Sequence, residues 1–399
     1  MTLILFDLDD TLLGNEMNNF IPAYLQSLAK RMAAVADPTE LIKTLLMATR
    51  QMVDNLDPSL TLEDRFDTAF YPTLGVDRQD VQCIIDSFYE IDFPMLKGLT
   101  QVRPNSVKVV EQIIARGDQA AIATNPLFPS TAILQRLSWA GFPNAQAIFR
   151  LIPSYDTFHF AKPNPTYFAE FLAQLGWPSI PVVMVGNDID MDIRAACQLD
   201  MPVFWISNGE EAKWCGEGDI PPHGEITDLI PWLETISPKP IQRSLTTSCA
   251  LLAVLRSTPA ALDTIYRQNY TKYARSPNQQ SGCLDVPICQ LRDLDREKNL
   301  PNLKKIIGEQ RLTQRNQHCE ISTNFDDYPQ GDGFQALEDF TKTRIEILEL
   351  LKDIPADRWE CSVQGTYSDS IPLQDMVKKI SEHDILQIQR VHKFIASID

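Results

Sequence analysis

Leu3-Ile-Leu-Phe6 is an unbroken apolar run that stops at Asp7-Leu-Asp9-Asp10-Thr11. A run this short is too brief for a helix and suits a strand buried on both faces. Similar runs recur at Ala120–Ala123, ending in Thr124-Asn125-Pro126, and at Val182–Val185, ending in Gly186-Asn187-Asp188. Val203–Ile206 and, more briefly, Ala147–Phe149 read the same way. Between them, apolar positions fall at helical spacing over Val107–Ile114, Ile133–Trp139, Thr166–Leu175 and Met191–Leu199. Strands alternating with helices predict an α/β fold with a doubly wound parallel sheet.

Two stretches break this alternation. From Asn15 to Lys97 the spacing is helical throughout, in Phe20/Ile21/Tyr24/Leu25/Leu28, Leu41/Ile42/Leu45/Leu46/Met52 and Val81/Ile84/Ile85/Phe88. Thr61 with Asp64 three residues on marks a helix start. This predicts a helical insert directly after the first strand. Further on, Ile236-Ser-Pro238-Lys-Pro240 reads as a linker. Beyond it the pattern is helical at about 248–256, 259–269, 286–308, 333–353 and 372–397, with a polar loop from Arg311 to Gly333. The domains expected are a core of 1–14 and 98–235, a cap of 15–97, a linker of 236–243 and an all-α unit of 244–399.

Composition narrows the partners. The chain has 399 residues, 44% hydrophobic and 22% charged, with a formal net charge of -17. Such a surface repels nucleic acid and anionic lipid, so neither is expected as a partner. Met1–Phe6 has no basic leader region, and no apolar run reaches the length of a membrane span. The eight cysteines include no C-x-x-C pair. They read as reduced thiols in a cytoplasmic protein.

The ends of the predicted strands carry the chemistry. In open α/β sheets ligands bind at the carboxyl ends of the strands. At such ends or in neighbouring loops this chain places Asp7, Asp9 and Thr11, then Thr124 and Asn125, then Lys162 in Ala161-Lys-Pro-Asn-Pro165, then Asp188 and Asp192. A lone D-x-D-x-T fits an acidic turn as well as a site. The ordered set fits phosphoryl transfer. A carboxylate can attack phosphorus, a second acid can protonate the leaving oxygen and activate water, and a hydroxyl and an ammonium can neutralise developing charge. Paired carboxylates also suit magnesium.

This ordered set, over residues 1–235, resembles the haloacid dehalogenase-like hydrolase superfamily. The resemblance implies that Asp7 is the nucleophile and a Mg2+ ligand, and that Asp9 is the general acid/base and gives its backbone carbonyl to the metal. It implies that Thr124, Asn125 and Lys162 bind the phosphoryl group, and that Asp188 and Asp192 complete the metal site. Asp190 is expected to face solvent. The dehalogenases of the family lack an acid at the place of Asp9, so its presence favours phosphate esters. Residues 15–97 match the helical cap, in which Phe20, Tyr24, Arg50 and Arg65 are read as packing or solvating the cap rather than facing substrate.

Residues 244–399 resemble the DinB-like helical bundles, through Leu291–Glu297, Ala336–Trp359 and Ile380–Asp384. In that family three His hold a divalent metal. Here only His383 is kept, with Gln290 and Gln387 at the other places, so the bundle is expected to be metal-free. Nothing in the spacing of His318, Cys319 or His392 supplies replacements. Bundles of this family self-associate, which makes a homodimer through this unit an expectation. The function expected is a magnesium-dependent phosphatase acting on a small phosphorylated metabolite through an aspartyl-phosphate on Asp7. A phosphomutase using the same site and a binding or scaffold protein acting through the bundle are the alternatives.

Overall fold

The computed structural model describes the chain apart from residues 210, 212–213, 215–218, 238–239, 241–244, 274–283, 310–332, 361–371 and 399. Most of the expected linker, the polar loop after Arg311, and His318 and Cys319 therefore lie outside the described residues. Packing divides the chain into two compact units. The first comprises Met1–Leu56, Leu60–Phe168 and Pro178–Arg243, the second Asp57–Ser59, Ala169–Trp177 and Ser244–Asp399.

The first unit is built on a parallel sheet. Its strands are β1 Leu3–Phe6, β4 Gln119–Ile122, β5 Val182–Gly186, β6 Val203–Ile206 and β7 His223–Gly224, in the order β4-β1-β5-β6-β7. A separate antiparallel pair joins β2 Leu13–Gly14 to β3 Gln101–Val102. Every residue of β1 is buried, as the unbroken apolar run requires of a strand flanked on both edges. Phe6 lies level with Ile122 of β4 and Val185 of β5. That register brings Asp7, Thr124 and Asn187 out at one edge of the sheet.

Between β2 and β3 the chain is helical: Met17–Met32, Pro38–Val53, Leu62–Leu74 and Arg78–Ser87, then π and 3-10 turns to Leu99. The starts are dictated locally. Asp37 accepts from the backbone N–H of Thr39 and Glu40, with Pro38 at the first helical position. Thr61 and Asp64 form a reciprocal capping box. The apolar faces of these helices share one core with the sheet, joined by aromatic contacts such as Phe93 stacked on Trp139 at 5.3 Å.

Ala145–Ile148 departs from expectation: it is a helical turn, not a strand. The following residues still run beside β4, where Ala120 O accepts from Arg150 N and Leu151 O from Ile122 N. Only this brief contact is strand-like, and the buried Phe149 explains the apolar signal. Likewise, the segment after β5 starts as a π-helical turn, Ile189–Arg194, before Ala195–Cys197.

In the second unit the described elements are helical. Ser248–Tyr273 packs on Leu373–Ile398 and Gly333–Leu351, and Asp285–Leu294 packs on Gly333–Leu351. Ser248–Tyr273 is one helix where the sequence suggested two, because Pro259 does not end it. Proline removes the N–H that would satisfy the carbonyl four residues back. That carbonyl, Leu255 O, instead accepts from Arg344 Nη1 at 3.0 Å. Arg344 is wholly buried and also binds Asp295, through Nε at 2.7 Å, and Asp384, through Nη2 at 3.1 Å. The expected 286–308 helix is likewise interrupted, by a π turn at Asp295–Asn299 that carries Asp295. In the same unit the side-chain nitrogen of Gln387 lies 2.9 Å from His383 Nε2, and Gln290 is buried. Burial, reinforced by Arg390 and Arg344, pushes the His383 imidazole down to about 4. Among the described residues no helix is long and apolar enough to cross a membrane.

Candidate active site

The chain turns sharply as it leaves β1. Leu8 O accepts from the N–H groups of Thr11, Leu12 and Leu13, and Asp10 takes a left-handed conformation with φ 56°. This loop projects Asp7 and Asp9 into a cavity of about 500 Å³ at the carboxyl edge of the sheet. The same cavity is lined by Thr124, Asn125, Lys162, Asp188 and Asp192, so every residue singled out from the sequence as catalytic, phosphate-binding or metal-binding meets there. Asp190 does not; it is exposed and pairs with Arg194.

Lys162 lies at the centre. Its Nζ donates to Asp7 Oδ1 at 2.9 Å and to Asp192 Oδ1 at 2.6 Å, with all three side chains nearly buried. Burial pushes the Asp7 carboxyl up to about 7, and the Asp192 charge adds to this while Lys162 opposes it. Burial also raises Asp192, again against Lys162. Burial works against the Lys162 charge, but the two carboxylates outweigh it and hold its ammonium above the ordinary lysine range. One ammonium between two buried carboxylates leaves the cluster a positive charge short.

Asn125 holds this lysine by its backbone. Its Oδ1 accepts from Lys162 N at 3.1 Å and its Nδ2 points to Lys162 O at 3.5 Å. Its amide is thus turned to the loop carrying Lys162. Thr124 is fixed from behind, its carbonyl accepting from Tyr167 Oη at 2.8 Å. Asp192 reaches the site because Gly186 leaves room: a Cβ there would lie 2.2 Å from Asp192 Oδ2. Asp188 is exposed, and its Oδ1 caps the next turn by accepting from Asp190 N and Met191 N.

Sequence reasoning missed two residues that position Asp9. Arg136 Nη1 donates to Asp9 Oδ2 at 2.7 Å, and Asn15 Nδ2 donates to Asp9 Oδ1 at 2.8 Å. Arg136 is 1% exposed and its guanidinium lies 4.8 Å from the Phe128 ring. The signal was available: an Arg among Ala132, Ile133 and Leu137 sits on the apolar face of its helix. Asn187, passed over for Asp188, also lines the cavity and accepts from Thr11 Oγ1 at 3.2 Å.

The donor set admits magnesium. Among the described residues no group of three His, Cys, Asp or Glu side chains forms a self-contained metal site. Magnesium does not need one, since it keeps several waters, through which carboxylates lining one cavity can be reached. Asp7, Asp188, Asp192 and the Asn187 amide offer hard oxygens around one space.

A parallel α/β architecture with a helical insert and an acidic strand-end cavity is thus defined. The model of the haloacid dehalogenase-like hydrolases matches residues 1–200. The chain belongs to this family. Among solved structures it is similar to a HAD phosphatase from Thermococcus onnurineus, at 20% identity and a TM-score of 0.39, covering 58% of this chain and 98% of that one. It is also similar to a 2-haloacid dehalogenase from Pseudomonas syringae pv. tomato DC3000, at 21% identity and a TM-score of 0.42, covering 59% and 99%. At these scores neither likeness bears on the chemistry. No curated protein matches the chain.

Proposed function

We propose that this hydrolase is a magnesium-dependent phosphatase that cleaves a small phosphate monoester through an aspartyl-phosphate on Asp7. The observation that carries the reading is Asp9. A second carboxylate lines the cavity with Asp7, and each of its oxygens is held by one buried partner, Arg136 or Asn15. A halide leaves without a proton, whereas the oxygen of a phosphate ester needs one, so a positioned second acid is useful only to the ester.

In the proposed reaction an Asp7 oxygen attacks phosphorus, the bond to the ester oxygen breaks, and that oxygen takes a proton from Asp9. Water then attacks the phosphorus and gives a proton to Asp9. The bond to Asp7 breaks, releasing inorganic phosphate and restoring the carboxylate. Asp9 Oδ1 and Oδ2 keep spare lone pairs beside their present partners, so Asp9 can serve both steps without losing its orientation. Lys162 and Thr124 bind the phosphoryl oxygens, and Asn125 holds the Lys162 backbone in place. Asp7, the Asp9 carbonyl, Asp188 and Asp192 would hold magnesium, which when bound supplies the missing positive charge.

The test is a pair of assays with magnesium present, one for phosphate release from an alkyl phosphate and one for halide release from a 2-haloalkanoate. Phosphate without halide is expected. Halide without phosphate would overturn the assignment.

A further inference from the structure

We propose that the ester carries an apolar group of about six carbons, held in a second, partly open cavity lined mostly by the helical insert. This rests on the phosphatase reading and names the substrate class of that same site. The second cavity measures about 170 Å³ and is walled by apolar side chains, among them Ile21, Leu28, Leu45 and Phe70. Met17, Leu127 and Phe128 line both it and the catalytic cavity. Those three side chains stand between the two cavities, and the proposed ligand runs past them from Asp7 into the second cavity.

The walls favour an apolar group: apart from Asp67, Thr49 and four tyrosines, every lining side chain is apolar. The hydroxyls of Tyr24 and Tyr89 lie 3.0 Å apart, one donating to the other. Asp67, the one carboxylate on the lining, is taken by the Arg78 guanidinium. A polyol would find fewer partners there than it has hydroxyls, whereas a hydrocarbon group loses nothing. Size points the same way. An apolar cavity of about 150 Å³ is enough to take up benzene, so this one suits a phenyl ring or a six-carbon chain.

The experiment is a homologous series from ethyl to decyl. Binding of the non-hydrolysable n-alkylphosphonates is measured by calorimetry on the full chain with magnesium, alongside turnover of the matching n-alkyl phosphates. Each methylene that enters the cavity should tighten binding about fourfold, the equivalent of about 0.8 kcal/mol, levelling off near six carbons. Leu28→Trp, which fills the cavity, should flatten that rise. The wild-type binding series stands by itself if the variant does not fold. Equal Kd across the wild-type series overturns the inference, and so does an undiminished rise in folded Leu28→Trp. Chain-length-dependent binding without turnover of any ester would instead leave the inference standing and overturn the phosphatase reading.

Discussion

Arg136→Met is the most informative single change outside the nucleophile. Methionine keeps most of the side-chain volume beside Phe128 and removes only the charge and the donor. The pair it breaks joins a guanidinium that is 1% exposed to a carboxylate that is 17% exposed, at 2.7 Å. A hydrogen bond between charged groups is worth about 1.5–3 kcal/mol. If that energy serves to aim Asp9, turnover of an alkyl phosphate should fall by about 10- to 150-fold. The assay is a double-mutant cycle on kcat with Asp9→Asn, circular dichroism confirming that each variant keeps its helices. Once Asp9 is Asn there is no acid to aim, so adding Arg136→Met should then cost less than about threefold. Equal losses in the two backgrounds would refute the positioning role. An aryl phosphate, whose leaving group needs little protonation, should show a smaller effect of Asp9→Asn on formation of the phosphoenzyme.

Other outcomes follow from the same geometry. Lys162→Met leaves Asp7 and Asp192 without their shared ammonium, which now holds Asp7 down; turnover should drop at least about a hundredfold, and the acidic limb of the pH–rate profile should move to higher pH. Arg344→Met strands two buried carboxylates and frees Leu255 O; chemical unfolding followed by helical dichroism should show a loss of about 3–5 kcal/mol, and an unchanged midpoint would contradict the role given to Arg344. His383 takes up its proton near pH 6.5 in the unfolded chain but only at about 4 in the fold. Its contribution is therefore constant above pH 6.5 and is lost as the pH falls towards 4, by up to about 3 kcal/mol. Relative to His383→Asn, wild-type stability measured with urea should decline across that window, and parallel curves would refute the assignment.

What could be read from the chain was what is local. β1 is bounded by a change from apolar to acidic residues, and the capping box at Thr61 lies within four positions. The gathering of Asp7, Thr124 and Asp192 followed from strand ends of a parallel sheet, which share one edge whatever lies between them, whereas Lys162 comes from a loop before the helix Pro165–Gln174. Apart from Asn15, six positions from Asp9, what escaped was what depends on distant partners. Arg136 meets Asp9 across 127 positions, and nothing near either residue announces the pair. Pro259 reads as a helix end because its lost hydrogen bond is visible in sequence. The Arg344 donor that rescues the orphaned carbonyl, 89 positions from Leu255, is not. Ala147–Phe149 was misread because burial alone does not separate a brief edge contact from a strand. At Asp188 the offset along the loop after β5 governs the outcome, since one carboxylate oxygen goes to a cap and Asn187 shares the cavity.

The measurement that bears most directly on the account is magnesium-dependent phosphate release by the wild type and by Asp7→Asn, on an alkyl phosphate and on a generic aryl phosphate. The wild type should release phosphate only when magnesium is present, and acid quenching during turnover should trap phosphate on Asp7. Asp7→Asn should keep its helical dichroism and release none. Phosphate release by Asp7→Asn at the wild-type rate would contradict the account.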